Sequence, residues 1–129
     1  MERIIKSGDG WRIGWHPHGS KYQGLVGTDD WAFELTLAEL KDFHRLLNQL
    51  VDTMNQMTAE LMDEEKISCE AETDLLWMEV AGYPHSYTLR LILNGDKPDG
   101  MASLRRCEGN WSSGIAPLLL QSLNSIGFS

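Results

Sequence analysis

The sequence has few of the residues that would link it by disulfides or hold it in a membrane. It contains two cysteines, Cys69 and Cys107, among 129 residues, and they are not spaced as a Cys-x-x-Cys redox or metal motif. No apolar run reaches the roughly 20 residues that cross a bilayer, and Met1–Lys6 is not an apolar leader. We therefore expect a cytoplasmic protein with free thiols and no membrane contact.

Basic residues are also few. The chain has 11 Lys and Arg against 19 Asp and Glu, which gives a formal net charge of −8. A charge of this sign repels phosphate groups, so it argues against a large nucleic-acid footprint and against binding to anionic lipid. It leaves room for a local positive patch. The length and the ordinary apolar content suit a single domain over residues 1–129 with a core of its own.

The chain lacks the residue patterns of familiar catalytic sites. No serine stands in a nucleophile-elbow context, and Gly8–Gly10 fits a hairpin turn rather than a phosphate loop. His16 and His18 can share a metal ion, but a site needs three or four ligands, and simple turn histidines are the alternative. We expect neither enzyme activity nor a cofactor. A small-molecule or metal-binding enzyme around His16, His18 and His85 is the remaining alternative.

Alternating apolar residues predict four short strands in the first half of the chain. They lie around Ile4 and Ile5, over Trp11–Trp15, over Tyr22–Gly27 with a bulge at Gly24, and over Trp31–Leu35. Gly- and Asp-containing turns separate them.

A long helix is predicted after the fourth strand. Thr36 and Glu39 form a T-x-x-E capping box at its start, and the acidic cluster Asp63–Glu65, read as a solvated corner, lies at its end. Its apolar residues recur at spacings of three and four and form one stripe: Leu40, Phe43, Leu47, Leu50, Met54, Met57 and Leu61. We expect this stripe to pack on the protein's own sheet, with a coiled-coil seam in a homodimer as the alternative.

The second half repeats this plan. The predicted strands are 67–72, 75–80, 87–93 and 101–107, with turns at 73–74, 82–84 and 94–100. After residues 109–114, a short helix is predicted with Pro117 in its first turn and a stop at Gly127. Its apolar stripe is Ile115, Leu118, Leu119, Leu123 and Ile126. The predicted fold class is α+β, with two pseudo-repeated units, 1–65 and 66–129, each of four antiparallel strands plus a helix.

Four stretches of the sequence resemble an uncharacterised cyanobacterial family of small acidic proteins, a domain of unknown function: Gly10–Trp15, Tyr22–Trp31, Ala59–Glu65 and Glu70–Leu93. That family looks like the Whirly type of single-stranded-DNA-binding transcriptional regulators. The resemblance therefore implies a Whirly-like fold built from two units of four strands and a helix. It supplies no catalytic residue, and a helix-mediated homodimer would match it.

Binding of single strands requires a positive groove with aromatic rings on which bases stack. The candidate nucleic-acid or partner contacts are Arg12, Tyr22, Arg90, Arg105, Arg106 and Trp111. We expect the basic members of this set, together with Lys6 and Lys21, to be scattered solvated charges, with one compensating positive patch as the alternative. Trp11, Trp15 and Trp31 alternate like core residues.

Carboxylates at predicted outward positions would repel phosphates, and these are Glu34, Glu70, Glu72 and Glu79. We therefore expect a non-enzymatic protein-interaction domain that binds another protein through an acidic or aromatic surface. The alternative is a single-stranded nucleic-acid-binding or transcription-associated factor.

Overall fold

Two antiparallel four-stranded sheets and two helices make up the structure. The computed structural model describes residues 3–19, 21–60, 66–94 and 107–126, and only the backbone of residues 58–60. In chain order the elements are β1 Ile4–Gly8, β2 Trp11–Trp15, β3 Gly24–Gly27, β4 Ala32–Leu35, α1 Leu37–Glu60, β5 Ile67–Glu72, β6 Leu76–Tyr83, β7 Ser86–Leu93, β8 Cys107–Trp111 and α2 Ala116–Asn124. The predicted α+β plan, with four strands and a helix occurring twice, is confirmed.

Each sheet is a meander in which neighbouring strands follow one another along the chain. Sheet A has the order β1-β2-β3-β4, and sheet B has the order β5-β6-β7-β8. Side chains alternate between two faces of a strand, and in β6 the residues Leu76, Met78 and Val80 are buried while Trp77 and Glu79 are only half-buried. Each sheet thus has an inner face toward the core and an outer face toward solvent.

Both helices pack on the inner side of the sheets. Helix α1 contacts β5 and β6, and α2 contacts β2, β7 and α1. The apolar stripe of α1 is buried from Leu40 to Met54, because it packs on the molecule's own sheet B. The intramolecular core is therefore confirmed, except that Met57 is 42% exposed. No described helix is both long and apolar enough to cross a membrane.

The two sheets are joined by aromatic residues at β8. The indole Nε1 of Trp111 donates a hydrogen bond to the carbonyl oxygen of Gly27, at 2.9 Å. The Trp31 ring lies 5.1 Å from the Trp111 ring, centroid to centroid, and it covers Gly109, where a Cβ would come within 2.4 Å of a Trp31 carbon. Strand β8 therefore contains a glycine because the indole from sheet A occupies that space.

Two predicted strand boundaries and one predicted bulge are wrong. Strand β3 begins at Gly24 rather than Tyr22, and Gly24 pairs in regular register with Trp15 and Leu35, so it is not a bulge. Strand β6 continues through Gly82 to Tyr83, so that the turn lies at 84–85.

The end of the second unit also differs from the prediction. The last strand is Cys107–Trp111, whereas the sequence predicted a strand over 101–107. In α2, Leu118 is 46% exposed, and the buried side of the helix is formed by Ala116, Leu119, Leu120 and Leu123. The predictions for Asp63–Glu65, for Leu61, for residues 95–106 and for Gly127 lie outside the described residues.

The two cysteines are free thiols, as predicted. Cys69 lies in β5 and Cys107 in β8, at opposite edges of sheet B. Three strand spacings separate these edges by about 14 Å, whereas the Cα atoms of a disulfide lie within about 7 Å. Burial raises the pKa of the Cys69 thiol, so this group is mostly protonated at neutral pH.

Candidate functional site

The outer face of sheet B collects every charged side chain of its four strands. Carboxylates come from β5, β6 and β8, and the one cation comes from β7: Glu70, Glu72, Glu79, Glu108 and Arg90. The register places them in two adjacent rows across the strands, Glu72-Trp77-Ile92-Glu108 and Glu70-Glu79-Arg90-Asn110. We call this surface, including Trp77 and Ile92, the acidic face.

Arg90 is held at the centre of the acidic face by three neighbours. Its guanidinium lies 2.6 Å from a carboxylate oxygen of Glu108 and 3.6 Å from one of Glu79. The same group lies 5.3 Å from the centroid of the Trp77 ring, a cation–π distance. The hydrogen bond that Arg90 donates to Glu108 is the main reason why the pKa of Arg90 is raised, so Arg90 is charged at neutral pH.

Arg90 offsets only part of the negative charge on this face. Glu79 and Glu108 share the single guanidinium, whereas Glu70 and Glu72 are exposed on the edge strand β5. No other cation belongs to β5, β6, β7 or β8. The strands of this face therefore carry a net negative charge beside the half-buried apolar side chains of Trp77 and Ile92.

The outer face of sheet A has a different character. A groove of about 230 Å³ lies over Gly14 in the middle of β2. Ile5 and Leu25 flank Gly14 on the neighbouring strands. The remaining lining residues are mostly polar: Arg3, Arg12, Trp15, His16, Tyr22, Gln23, Gly24 and Glu34. We call this site the Gly14 groove.

The structure separates the candidate contact residues that the sequence suggested. Arg12 and Tyr22 line the Gly14 groove together, while Arg90 lies on the acidic face of the other sheet. Trp111 is 1% exposed, so its prediction as a contact residue is wrong, because its indole is used to join the two sheets. Arg105 and Arg106 lie outside the described residues.

A single positive patch, the alternative to scattered charge, does not form among the described basic residues. Lys6 reaches the end of α2, where its Nζ donates to the Ser125 hydroxyl at 2.5 Å. Lys21 lies 5.4 Å from the centroid of the Tyr22 ring, near the Gly14 groove. Arg90 is paired with carboxylates, as described above. These basic residues therefore lie on different surfaces.

Two of the candidate histidines, His16 and His85, lie in different parts of the structure. His16 lines the Gly14 groove, whereas the His85 ring stacks on Tyr83 in the turn after β6, with 6.2 Å between centroids. Across the described ranges, no three His, Cys, Asp or Glu side chains are grouped as metal ligands. The alternative of a metal site that combines His16 with His85 has no geometric support in these residues.

Sequence reasoning missed several members of both sites. Glu108 and Gly14 carry no motif, and their importance comes from strands that become neighbours only in the folded sheet. The outward placement of Glu70, Glu72 and Glu79 was available from alternation alone, and it is confirmed.

Two comparisons relate this fold to other proteins, and a third, with curated proteins, finds no match. The crystal structure of a protein of unknown function from the DUF155 family of Prochlorococcus sp. NATL2A is similar, with a TM-score of 0.82 and 28% sequence identity. The similarity covers 95% of this chain and 97% of that one. Residues 6–126 match a family described as a domain of unknown function, DUF1818. The chain therefore belongs to the DUF1818 family, for which no specific function is indicated.

Proposed function

We propose that this protein is a non-enzymatic interaction domain that binds a basic segment of another protein through the acidic face of sheet B. One observation carries the proposal. All five charged side chains of the four strands lie on the outer face, and four of them are carboxylates. Both helices pack on the inner side, so no described helix occupies this face.

The chemistry of the face selects a cationic partner. Lys or Arg side chains can pair with Glu70 and Glu72, and their aliphatic parts can lie on Trp77 and Ile92. Complementary charge speeds the encounter and suppresses the wrong partners more than it raises affinity. Nucleic acid is a poor ligand here, because its phosphates would meet carboxylates.

The size of the face indicates a single segment rather than a large partner. Four strands at about 4.8 Å each span about 19 Å, and the longest strands run for about 27 Å, so the face measures roughly 500 Å². A standard protein interface uses about 800 Å² from each partner. A basic peptide segment bound weakly and reversibly fits this area.

Affinity capture at low salt tests the proposal in a native extract. The bait is compared with a double variant of the acidic face, Glu70→Lys with Glu72→Lys, and with a charge-matched control, Asp30→Lys with Asp52→Lys, whose sites are exposed and off the face. We expect the wild type and the control to retain proteins that have basic segments, and we expect the face variant not to retain them. Retention by all three baits, or no retained protein at low salt, would contradict the proposal.

A second candidate function is binding of single-stranded nucleic acid by a Whirly-like fold. It is supported by the repeated plan of four strands and a helix and by the groove that contains Arg12 and Tyr22. A labelled single strand should then bind with an affinity that falls as salt rises, and Arg12→Glu should weaken it. Binding that is altered neither by salt nor by Arg12→Glu would exclude the electrostatic mechanism.

A further inference from the structure

We propose that the Gly14 groove of sheet A is a binding site for a small organic anion that carries an apolar or aromatic body. This site lies on a different sheet from the acidic face and does not depend on the protein-interaction function. The groove combines an open floor, two apolar walls and cationic side chains.

The floor of the groove is a glycine that the fold itself does not require. Gly14 lies in β2, an interior strand of sheet A, where glycine weakens a strand and often marks a site of close approach. A Cβ at this position would meet its nearest atoms, from Leu25, Ile4 and Ile5, at 3.5, 3.6 and 3.8 Å. These are ordinary contacts, and Gly14 has no positive φ. The absent side chain keeps the groove open without serving the packing of the sheet.

The walls beside Gly14 are apolar and accessible. Ile5 pairs with Gly14 from β1 and Leu25 pairs with it from β3. Ile5 is 61% exposed, which is a high value for a large apolar side chain in a strand, and Leu25 is half-buried. Burial of these walls by a ligand would supply a hydrophobic contribution to binding.

The charges around the groove favour an anion. Arg12 and His16 lie two residues to either side of Gly14 on the same face of the strand, and Arg3 lines the same groove. Arg12 Nε donates to the carbonyl oxygen of Thr28 at 2.8 Å, which fixes the side chain while using one of its five N–H donors. Within the described ranges, neither Arg3 nor Arg12 has a carboxylate at ion-pair distance.

The volume sets the size of the ligand. A cavity of about 150 Å³ is enough for benzene, and the groove measures about 230 Å³. One ring or branched chain with a carboxylate or phosphate therefore fits. Glu34, which faces Leu25 from β4, lines the opposite side of the groove.

Calorimetric titration with benzoate, phenyl phosphate and indole-3-acetate tests this site, with uncharged benzamide as the matched control. We expect at least one anion to bind more tightly than benzamide, and Arg12→Gln to weaken that binding about tenfold, equivalent to the loss of one charged contact. Lys41→Gln, which removes the same charge from the exposed side of α1, should leave it unchanged.

Substitutions that fill the space over Gly14 test whether the groove is a ligand site or only a depression in the surface. Gly14→Val should abolish anion binding while the melting temperature stays the same or rises, since β-branched residues favour strands. Gly14→Ala serves as the second variant, because its single Cβ fits the space described, and it should weaken binding in the same direction. Equal binding by the wild type and a folded Gly14 variant, or no difference between anions and benzamide, would overturn the proposal. Binding of single-stranded oligonucleotides but of none of the small anions would overturn it as well and favour the second candidate function.

Discussion

Trp111 is the side chain that most directly links the two sheets. Its ring contacts those of Trp31 and Phe43, at 5.1 and 6.0 Å between centroids, and its indole nitrogen bonds to Gly27. We expect Trp111→Phe to lower the free energy of unfolding by about 2–3 kcal/mol, because it leaves a space and removes the partner of a buried carbonyl. Urea denaturation measures this effect. The matched control Trp77→Phe, on the half-buried outer face, should cost much less; equal losses would show that Trp111 does not join the sheets.

We expect ionisation of Tyr87 to lower the free energy of unfolding at alkaline pH. Burial raises its pKa from 10 to about 12, so the folded state holds the phenolic proton more tightly than the unfolded state. This contribution is complete below pH 10 and is lost as pH rises toward 12. Between pH 9 and 11 the loss is about 1.3 kcal/mol.

Replacement of the phenol isolates this effect from that of other groups that titrate in the same range. The free energy of unfolding of the wild type and of Tyr87→Phe is measured in urea at pH 8 and at pH 11. From the lower to the higher pH, the wild type should lose about 1.3 kcal/mol more than Tyr87→Phe. A difference that does not change with pH would mean that the Tyr87 phenol is not buried in the folded state.

At the scale of the element, the start of α1 is fixed by a reciprocal pair of side chains. The Thr36 backbone N–H donates to Glu39 Oε1 at 2.8 Å, and the Glu39 backbone N–H donates to Thr36 Oγ1 at 3.2 Å. This is the capping box that the sequence predicted, and it is confirmed. It satisfies backbone donors that the first helical turn would otherwise leave without partners.

Loss of the Thr36 hydroxyl should weaken the protein measurably. We expect Thr36→Ala to lower the free energy of unfolding by about 1 kcal/mol, as measured by urea denaturation followed by helical circular dichroism. Thr36→Ser keeps the hydroxyl and should recover most of the loss. If Ala and Ser were equally destabilising, the methyl group rather than the cap would be responsible.

The elements that the sequence predicted well are those whose two faces meet different environments. In β6 and β7 every second residue is buried, and this alternation is visible in the sequence. Strand β8 was misplaced because it contains a glycine and three polar or small residues, and it is stabilised by pairing with β7 and by the Trp31 ring over Gly109. Contacts between distant parts of the chain determine such a strand, and the local pattern does not record them.

At the scale of the whole molecule, the two sheets present outer faces of different charge. Sheet B presents four carboxylates with one guanidinium, whereas the groove of sheet A is lined by Arg3 and Arg12 with Glu34. The net charge of −8 was available from the sequence, but its distribution was not, because it depends on which strands become neighbours. Alternation placed Glu70, Glu72 and Glu79 outward, and only the strand order added Glu108 to them.

Binding of a basic peptide to the acidic face tests the proposed function most directly. A fluorescence-anisotropy titration with a short labelled peptide in which lysine alternates with serine measures this binding, and a peptide with glutamate in place of lysine is the control ligand. We expect the lysine peptide to bind and its binding to weaken with salt, since the charges are exposed. We also expect an affinity about tenfold lower for Glu70→Lys with Glu72→Lys, equivalent to the loss of charge pairing at the face. Asp30→Lys with Asp52→Lys, which changes the net charge equally, should retain the wild-type affinity. If both double variants lost affinity to the same extent, binding would follow the net charge of the molecule, and the acidic face would not be the site.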